Sequence, residues 1–241
     1  MKIGILETGY APEELRNDFA SYPGMLEKLL GGVEPNLAFE TWTVLEDVFP
    51  ASISDADGWV IMGSKHGVYE NTPWMIRLQD FLRTAVDAGQ PVFGICFGHQ
   101  ILATALGGKV VKSDKGWGVG VHEYAVDASN SDWLRDSPAT IRLNAFHQDQ
   151  VVEPPKGARV WASSDFCPYA GLQYGDNAAS IQPHPEFMKP YETALLQARY
   201  ELIPEDVHAA AMKSLETPIS SVDFAHALVK FMTRNRIKSA A

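Results

Sequence analysis

The chain has 241 residues, 46% of them apolar, which suffices for one large α/β domain or two small ones and excludes disorder as a description of the whole. Its 30 Asp and Glu against 20 Lys and Arg give a net charge of -10, which works against nucleic-acid backbones and anionic membranes and favours a small molecule or a protein as partner. Two cysteines make no disulfide framework, Met1 to Leu6 is too short for a signal peptide and no stretch reaches membrane-spanning length, so a reducing cytoplasm is the expected setting.

Lys2 to Leu6 is apolar and β-prone, and reads as a buried first strand ending in a loop at Thr8-Gly9. Leu15, Phe19, Met25, Leu26, Leu29 and Leu30 supply an interrupted helical stripe that Gly31-Gly32 should end. Leu37 to Val44 suits a second strand, and Gly58 to Met62 a third that stops at the Gly63 to Gly67 loop. Thr72 as cap and Pro73 at the first position open a helix carrying Trp74, Leu78, Phe81, Leu82 and Ala85, closed by Gly89. Pro91 to Ile95 is a fourth strand, Cys96 sits at a turn, and a helix from about His99 runs to Gly107-Gly108. This alternation predicts an α/β fold: a doubly wound, flavodoxin-like, mostly parallel sheet with helices on both faces and its chemistry at the carboxyl ends of the strands.

From Lys109 to Ile181 the pattern changes to short β-like pieces at 119–126, 158–162, 170–174 and 178–182, separated by Pro154-Pro155, Gly157 and Gly175-Asp-Asn177. They predict a small antiparallel extension of the same sheet. Helices follow at about 191–201, 206–215 and 222–233, with Ser220 or Ser221 as a cap for the last. Residues 1–241 are therefore expected to form a single domain with extra C-terminal helices from about 190. The stripe of Ala225, Leu228, Val229 and Met232 fits packing, a homodimer surface or a partner dock, with packing the default.

Gly94-Ile-Cys96-Phe-Gly98 reads as a nucleophile elbow, in which a tight strand-to-helix turn lifts one side chain clear of the backbone and demands glycine at its flanks. The lifted group is a thiol, and a helix N-terminus beneath it favours the reactive thiolate. A lone cysteine is more often buried and inert, so the elbow needs a base and an orienting acid. Gln182-Pro-His-Pro-Glu186 supplies both: His184 and Glu186 are two apart, share a side in extended backbone, and are stiffened by the flanking prolines. Among the other histidines, His99 reads as capping or packing, and His66 as able to touch substrate. His122 with Glu123, or His147 with Asp149, matches no strong metal signature, so neither a metal nor a cofactor is expected. Acyl chemistry at Cys96 also needs backbone donors for an oxyanion; Phe97, after the nucleophile, and Gly63, in the neighbouring loop, are the candidates.

With these motifs in this order, the chain resembles the class I glutamine amidotransferases, whose triad is Cys-His-Glu. Ile61-Met-Gly63-Ser64 resembles their oxyanion loop, and Phe146-His-Gln-Asp-Gln-Val151 is similar to a segment of GMP synthetase-like members. The match covers most of residues 1 to about 190, and departs at Pro183, where many members carry an aromatic residue. The resemblance implies that Cys96 attacks a γ-glutamyl amide to form a thioester, that His184 protonates the leaving ammonia, and that Glu186 orients the imidazole. Ser64 and Gln100 would then contact substrate, and backbone around His147 and Gln148 would hold its amino-acid end. The substrate is glutamine or another γ-glutamyl compound, and a separate synthetase subunit would take up any ammonia.

Three other readings stand beside it. An α/β-hydrolase with a cysteine elbow would use Asp149 or Asp165 as its acid. A γ-glutamyl peptidase acting on glutathione-like compounds keeps the triad and changes the leaving group. A catalytically idle binding module keeps only the fold.

Overall fold

Alternation of apolar side chains between two faces explains the parallel half of the sheet. In the computed structural model, which describes residues 1–129 and 131–239, strand β1 (Lys2–Leu6) sends Ile3 and Ile5 to one face and Leu6 to the other. Helix α1 (Tyr22–Val33) and strand β2 (Ala38–Trp42) follow, then strand β3 (Gly58–Ile61), whose Val60 joins Ile3 while Trp59 and Ile61 join Leu6. Helix α2 (Pro73–Asp87), strand β4 (Val92–Ile95) and helix α3 (Phe97–Ala105) complete this half. Strands buried on both sides read as continuous apolar runs, as these do.

Strands β5 (Lys109–Lys112), β6 (Gly118–Val126), β7 (Thr140–His147), β8 (Asp149–Glu153), β9 (Arg159–Ser163), β10 (Gly171–Tyr174) and β11 (Ala178–Ile181) come next, then helices α4 (Lys189–Ala198), α5 (Glu205–Ser214) and α6 (Ser221–Ser239). Among the described residues the main sheet has nine strands, in the order β2-β1-β3-β4-β11-β10-β9-β6-β7. From β2 to β11 all neighbours are parallel, and from β11 to β7 all are antiparallel. The parallel part has the flavodoxin-like order, with β11 returning from the antiparallel excursion to take the fifth position beside β4. The β4–β11 pairing matters most for function, because it sets Ile95 opposite Ile181 and so brings the turn after each strand to one edge. Strands β5 and β8 form a separate two-stranded sheet.

Helices α2 and α3 cover one face through Met75, Leu78, Leu82, Ile101 and Leu102; α1 and α6 cover the other through Leu26, Leu30, Phe224, Leu228 and Phe231. On that second face Phe93, Trp133, Trp161, Phe224 and Phe231 form a chain of ring contacts with centroids 5.1 to 6.2 Å apart. Burying each large apolar side chain is worth about 1.5–3 kcal/mol, so α6 is tied to the core by its own aromatic face. Ala225, Leu228 and Met232 of the C-terminal stripe lie in this packing.

Several boundaries differ from the sequence expectation. Gly31-Gly32 does not end α1, which continues to Val33; buried Leu26, Leu29 and Leu30 hold the helix through the propensity cost of about 1 kcal/mol per glycine. The stripe is also not one helix, since Leu15 ends a short 3-10 turn (Glu13–Leu15) and Phe19 lies between it and α1. Helix α3 begins at Phe97, directly after Cys96, rather than near His99. Thr72 stands at the N-cap of α2 without a side-chain capping bond. Ser220 precedes α6 and its carbonyl accepts from the Phe224 amide at 2.9 Å, while its hydroxyl accepts from the Arg142 amide at 3.1 Å and ties the start of α6 to β7. Strands β5, β7 and β8 have no counterpart in the sequence reading.

Candidate active site

Cys96 lies between β4 and α3 with φ 54° and ψ -103°, a backbone conformation that costs a non-glycine residue of order 1–3 kcal/mol. Its neighbours show why the turn is built this way. A Cβ on Gly94 would overlap the Gly98 carbonyl, and one on Gly98 would overlap the Ile61 carbonyl of β3. Two glycines let strand, turn and helix approach within backbone contact, and Gly98 N–H donates to the Met62 carbonyl at 3.1 Å to fasten the turn to β3.

Strand β11 runs parallel to β4, so the segment that follows it reaches the same edge as Cys96. There the His184 amide donates to the Asn144 carbonyl at 2.7 Å, while Asn144 Nδ2 donates to the Phe187 carbonyl at 2.8 Å. Asn144, in the middle of β7, thus clamps both ends of the His-Pro-Glu-Phe loop through its carbonyl and its side chain. The His184 ring stacks face to face on Phe187, with centroids 3.8 Å apart and planes 4° apart. Glu186 Oε1 accepts from His184 Nδ1 at 2.8 Å, which leaves Nε2 as the nitrogen directed to the Cys96 sulfur within hydrogen-bonding reach. Burial alone would keep the imidazole neutral, but the Cys96 sulfur and the Glu186 carboxylate outweigh it and hold the His184 pKa well above the ordinary 6.5.

Gly63 stands at the Cε1 edge of the ring. A Cβ there would lie 2.8 Å from His184 Cε1, so glycine is required by close approach. Neither the Gly63 nor the Phe97 amide donates a backbone hydrogen bond among the described residues, and Phe97, as the first residue of α3, has no intrahelical acceptor. Thr8 anchors the loop, its hydroxyl donating to the Met62 carbonyl at 2.8 Å, with the Gly63 carbonyl at 3.1 Å.

Cys96 and His184 open into a cleft of about 750 Å³ that Gly63, Ser64, Gln100, His147 and Gln148 also line. The Gln100 amide nitrogen donates to the Asp149 carbonyl at 2.9 Å and to Gln182 Oε1 at 3.1 Å, leaving its own oxygen as the free acceptor. Gln182 in turn donates to Cys96 Sγ at 3.6 Å. The sequence reading overlooked Gln182, Asn144 and Phe187. Gln182 and Phe187 flank His-Pro-Glu and were legible as neighbours of a motif, whereas Asn144 sits on an unexpected strand.

Burial keeps the His147 and His99 pKa values down at about 3, so both are neutral. His99 bonds Ser180 Oγ at 2.8 Å inside the core, and His66 pairs with Glu70 at the cleft at 2.9 Å. Neither Asp149 nor Asp165 forms an ion pair with His184, whose carboxylate partner is Glu186. Among the described residues no group of three or more His, Cys, Asp or Glu side chains is arranged to hold a metal ion, and no helix is long and apolar enough to cross a membrane.

Residues 41–201 match the family model of the class I glutamine amidotransferases. Gamma-glutamyl peptidase 4 of Arabidopsis thaliana is 31% identical over 182 residues, covering 73% of this chain and 71% of the relative. A GMP synthase (glutamine-hydrolyzing) of Streptococcus mutans is 34% identical over 134 residues, 54% of this chain and 24% of that longer protein. In three dimensions the crystal structure of a glutamine amidotransferase from Thermotoga maritima superposes with a TM-score of 0.74 at 18% identity, over 97% of this chain and 96% of that one, and shows the same fold. The chain belongs to the class I glutamine amidotransferase family.

Proposed function

We propose that this family member hydrolyses a γ-glutamyl amide through a glutamyl thioester on Cys96. The observation that carries the reading is the Cys96, His184 and Glu186 arrangement: a thiol on a strained turn, an imidazole held charged beside it, and a buried carboxylate 2.8 Å from Nδ1. Cys96 Sγ attacks the γ-carbonyl carbon, and the charge that develops on the carbonyl oxygen meets the Gly63 and Phe97 N–H groups. His184 Nε2 gives its proton to the amide nitrogen, the C–N bond breaks and the amine leaves. The neutral imidazole then takes a proton from water as the water oxygen attacks the thioester carbonyl. The C–S bond breaks, releasing glutamate and restoring the sulfur and imidazolium. Glu186 holds the ring orientation throughout, and Gln182 holds the sulfur from the other side.

The γ-glutamyl end lies against Ser64, Gln100, His147 and Gln148, with the free Gln100 oxygen accepting from the substrate ammonium. Two observations favour a leaving amine larger than ammonia. The cleft of about 750 Å³ is more than free glutamine needs and continues past His184 to Leu195 and Leu202, and a relative at 31% identity is a gamma-glutamyl peptidase. Similarity to a GMP synthase supports the second reading, in which ammonia passes to a separate synthetase. Incubation with γ-glutamyl dipeptides and with glutamine, followed by quantitation of glutamate, free amino acid and ammonia, tests both. Preferential release of the amino acid supports the hydrolase reading, preferential glutamine turnover supports the second, and no turnover of any γ-glutamyl compound overturns both.

A further inference from the structure

We propose that Arg16 reads a free carboxylate on the leaving group, so that the cleft selects γ-glutamyl amino acids and peptides over amines that lack one. The inference rests on the hydrolase reading above, and deepens it by naming what the second half of the cleft recognises.

If the γ-glutamyl end lies on the wall of Ser64, Gln100 and Gln148, the leaving nitrogen must face His184, its proton donor. Beyond His184 lies Phe187, stacked on the ring, and Phe187 shares an apolar cluster with Ala11, Leu15, Tyr191 and Leu195. The segment from Tyr10 to Arg16 is therefore fastened to the support of the catalytic imidazole, and it lines the cleft on that side. Arg16 directly follows the buried Leu15 anchor.

Its guanidinium is oriented before any ligand arrives. Nε donates to the Ala11 carbonyl at 2.8 Å, and the guanidinium carbon lies 5.1 Å from the Tyr10 ring centroid, on its face. Tyr10 is itself fixed, its hydroxyl donating to Glu46 at 2.6 Å. The carboxylate of Glu14, two residues away on the cleft wall, is taken by Arg199 at 2.7 Å. Among the described residues Arg16 forms no ion pair, which leaves its two terminal NH2 groups for an incoming anion. A planar fork with two donors side by side matches a carboxylate, and a chain of net charge -10 needs a local cation to hold one. Ammonia carries nothing that such a group could read; an amino acid or peptide leaving group ends in a carboxylate.

The test compares γ-glutamylglycine with γ-glutamylglycinamide, which differ only in that carboxylate, on the wild type and on Arg16→Ala and Arg16→Lys. The ratio of kcat/KM between acid and amide cancels any difference in the fraction of folded enzyme. The wild type is expected to favour the acid roughly 10-fold or more, carried mainly by KM, a 10-fold preference being about 1.4 kcal/mol. Arg16→Ala should bring the ratio toward one, Arg16→Lys should retain part of it, and added salt should erode it in the wild type more than in Arg16→Ala. A ratio that Arg16→Ala leaves unchanged, or a wild-type preference for the amide, overturns the role of Arg16 while leaving γ-glutamyl hydrolysis standing. A wild type that cleaves neither dipeptide nor glutamine overturns the hydrolase reading, and this proposal with it.

Discussion

Gly63→Ala isolates one requirement of the site. Gly63 has no positive φ, so alanine is compatible with the backbone and the change adds only a methyl group. That methyl carbon would stand 2.8 Å from His184 Cε1, where carbon atoms rest at about 3.5–4.0 Å, so something must give by roughly 0.7 Å. The methyl meets the ring at its Cε1 edge, so a retreat in the ring plane drives the imidazole back on its own Cβ and disturbs the 2.8 Å bond to Glu186. The Gly63 loop must move, taking the proposed oxyanion donor with it, or the imidazole must tilt away from Cys96. A misplacement on the order of 1 Å costs about 10²-fold, and loss of one oxyanion donor about 10²–10³-fold. The expected result is a fall in kcat/KM for γ-glutamyl hydrolysis of about 10²–10³-fold, seen mainly in the acylation burst of a stopped-flow assay. Thermal unfolding should show a modest stability loss of about 1–3 kcal/mol from overpacking. Unchanged kcat/KM in a folded Gly63→Ala protein would refute the placement of Gly63 against the working imidazole.

Three further outcomes are expected. Glu186→Gln keeps the shape of the side chain and removes its charge, so steady-state turnover should fall by roughly 10²–10⁴-fold, less than for Cys96→Ser; equal losses at saturating substrate would contradict an orienting role. Asn144→Ala keeps the backbone bond to the His184 amide but frees the Phe187 end of the loop that carries His184, and should lower kcat more than it raises KM, with a stability loss of about 1–3 kcal/mol from the unpaired Phe187 carbonyl; a pure KM effect would argue against it. Glu192 is fully buried beside the site, and burial raises its pKa from 4.5 to about 8, against the pull of the His184 charge and the Gly120 amide. An acid that binds its proton more tightly when folded stabilises the fold below its unfolded pKa, and that contribution is lost as pH rises through the folded value. Denaturant titrations should therefore show stability declining between pH 4.5 and 8 by up to about 1.4 kcal/mol per unit from this group, a slope that Glu192→Gln flattens. An identical slope in the variant would place the effect elsewhere.

The parallel half of the fold was legible because β1, β3 and β4 are buried on both faces and read as unbroken apolar runs. Strand β7 was not: Thr140 to His147 alternates imperfectly, and carries Arg142 and Asn144 on a strand that pairs with β6 along its whole length. Its pairing is tertiary, and so was the clamp that Asn144 makes. Cys96, His184 and Glu186 could be picked out locally, by the glycines that an elbow requires and by the two-residue spacing of a stiff His-Pro-Glu. Their meeting depends on the β4–β11 adjacency, which no local pattern encodes. Arg16 was invisible for a related reason. It lies on the loop after β1, far from either motif in sequence, and joins them only through the packing of Leu15 against Phe187.

In the proposed reaction Cys96 carries the γ-glutamyl group. Rapid acid quench of the enzyme during turnover of a γ-glutamyl dipeptide, followed by peptide mapping in a mass spectrometer, tests it directly. The expected result is an adduct of one glutamic acid less one water on the peptide containing Cys96, and none in Cys96→Ser. An adduct on another residue, or steady hydrolysis by Cys96→Ser with no adduct at all, would contradict it.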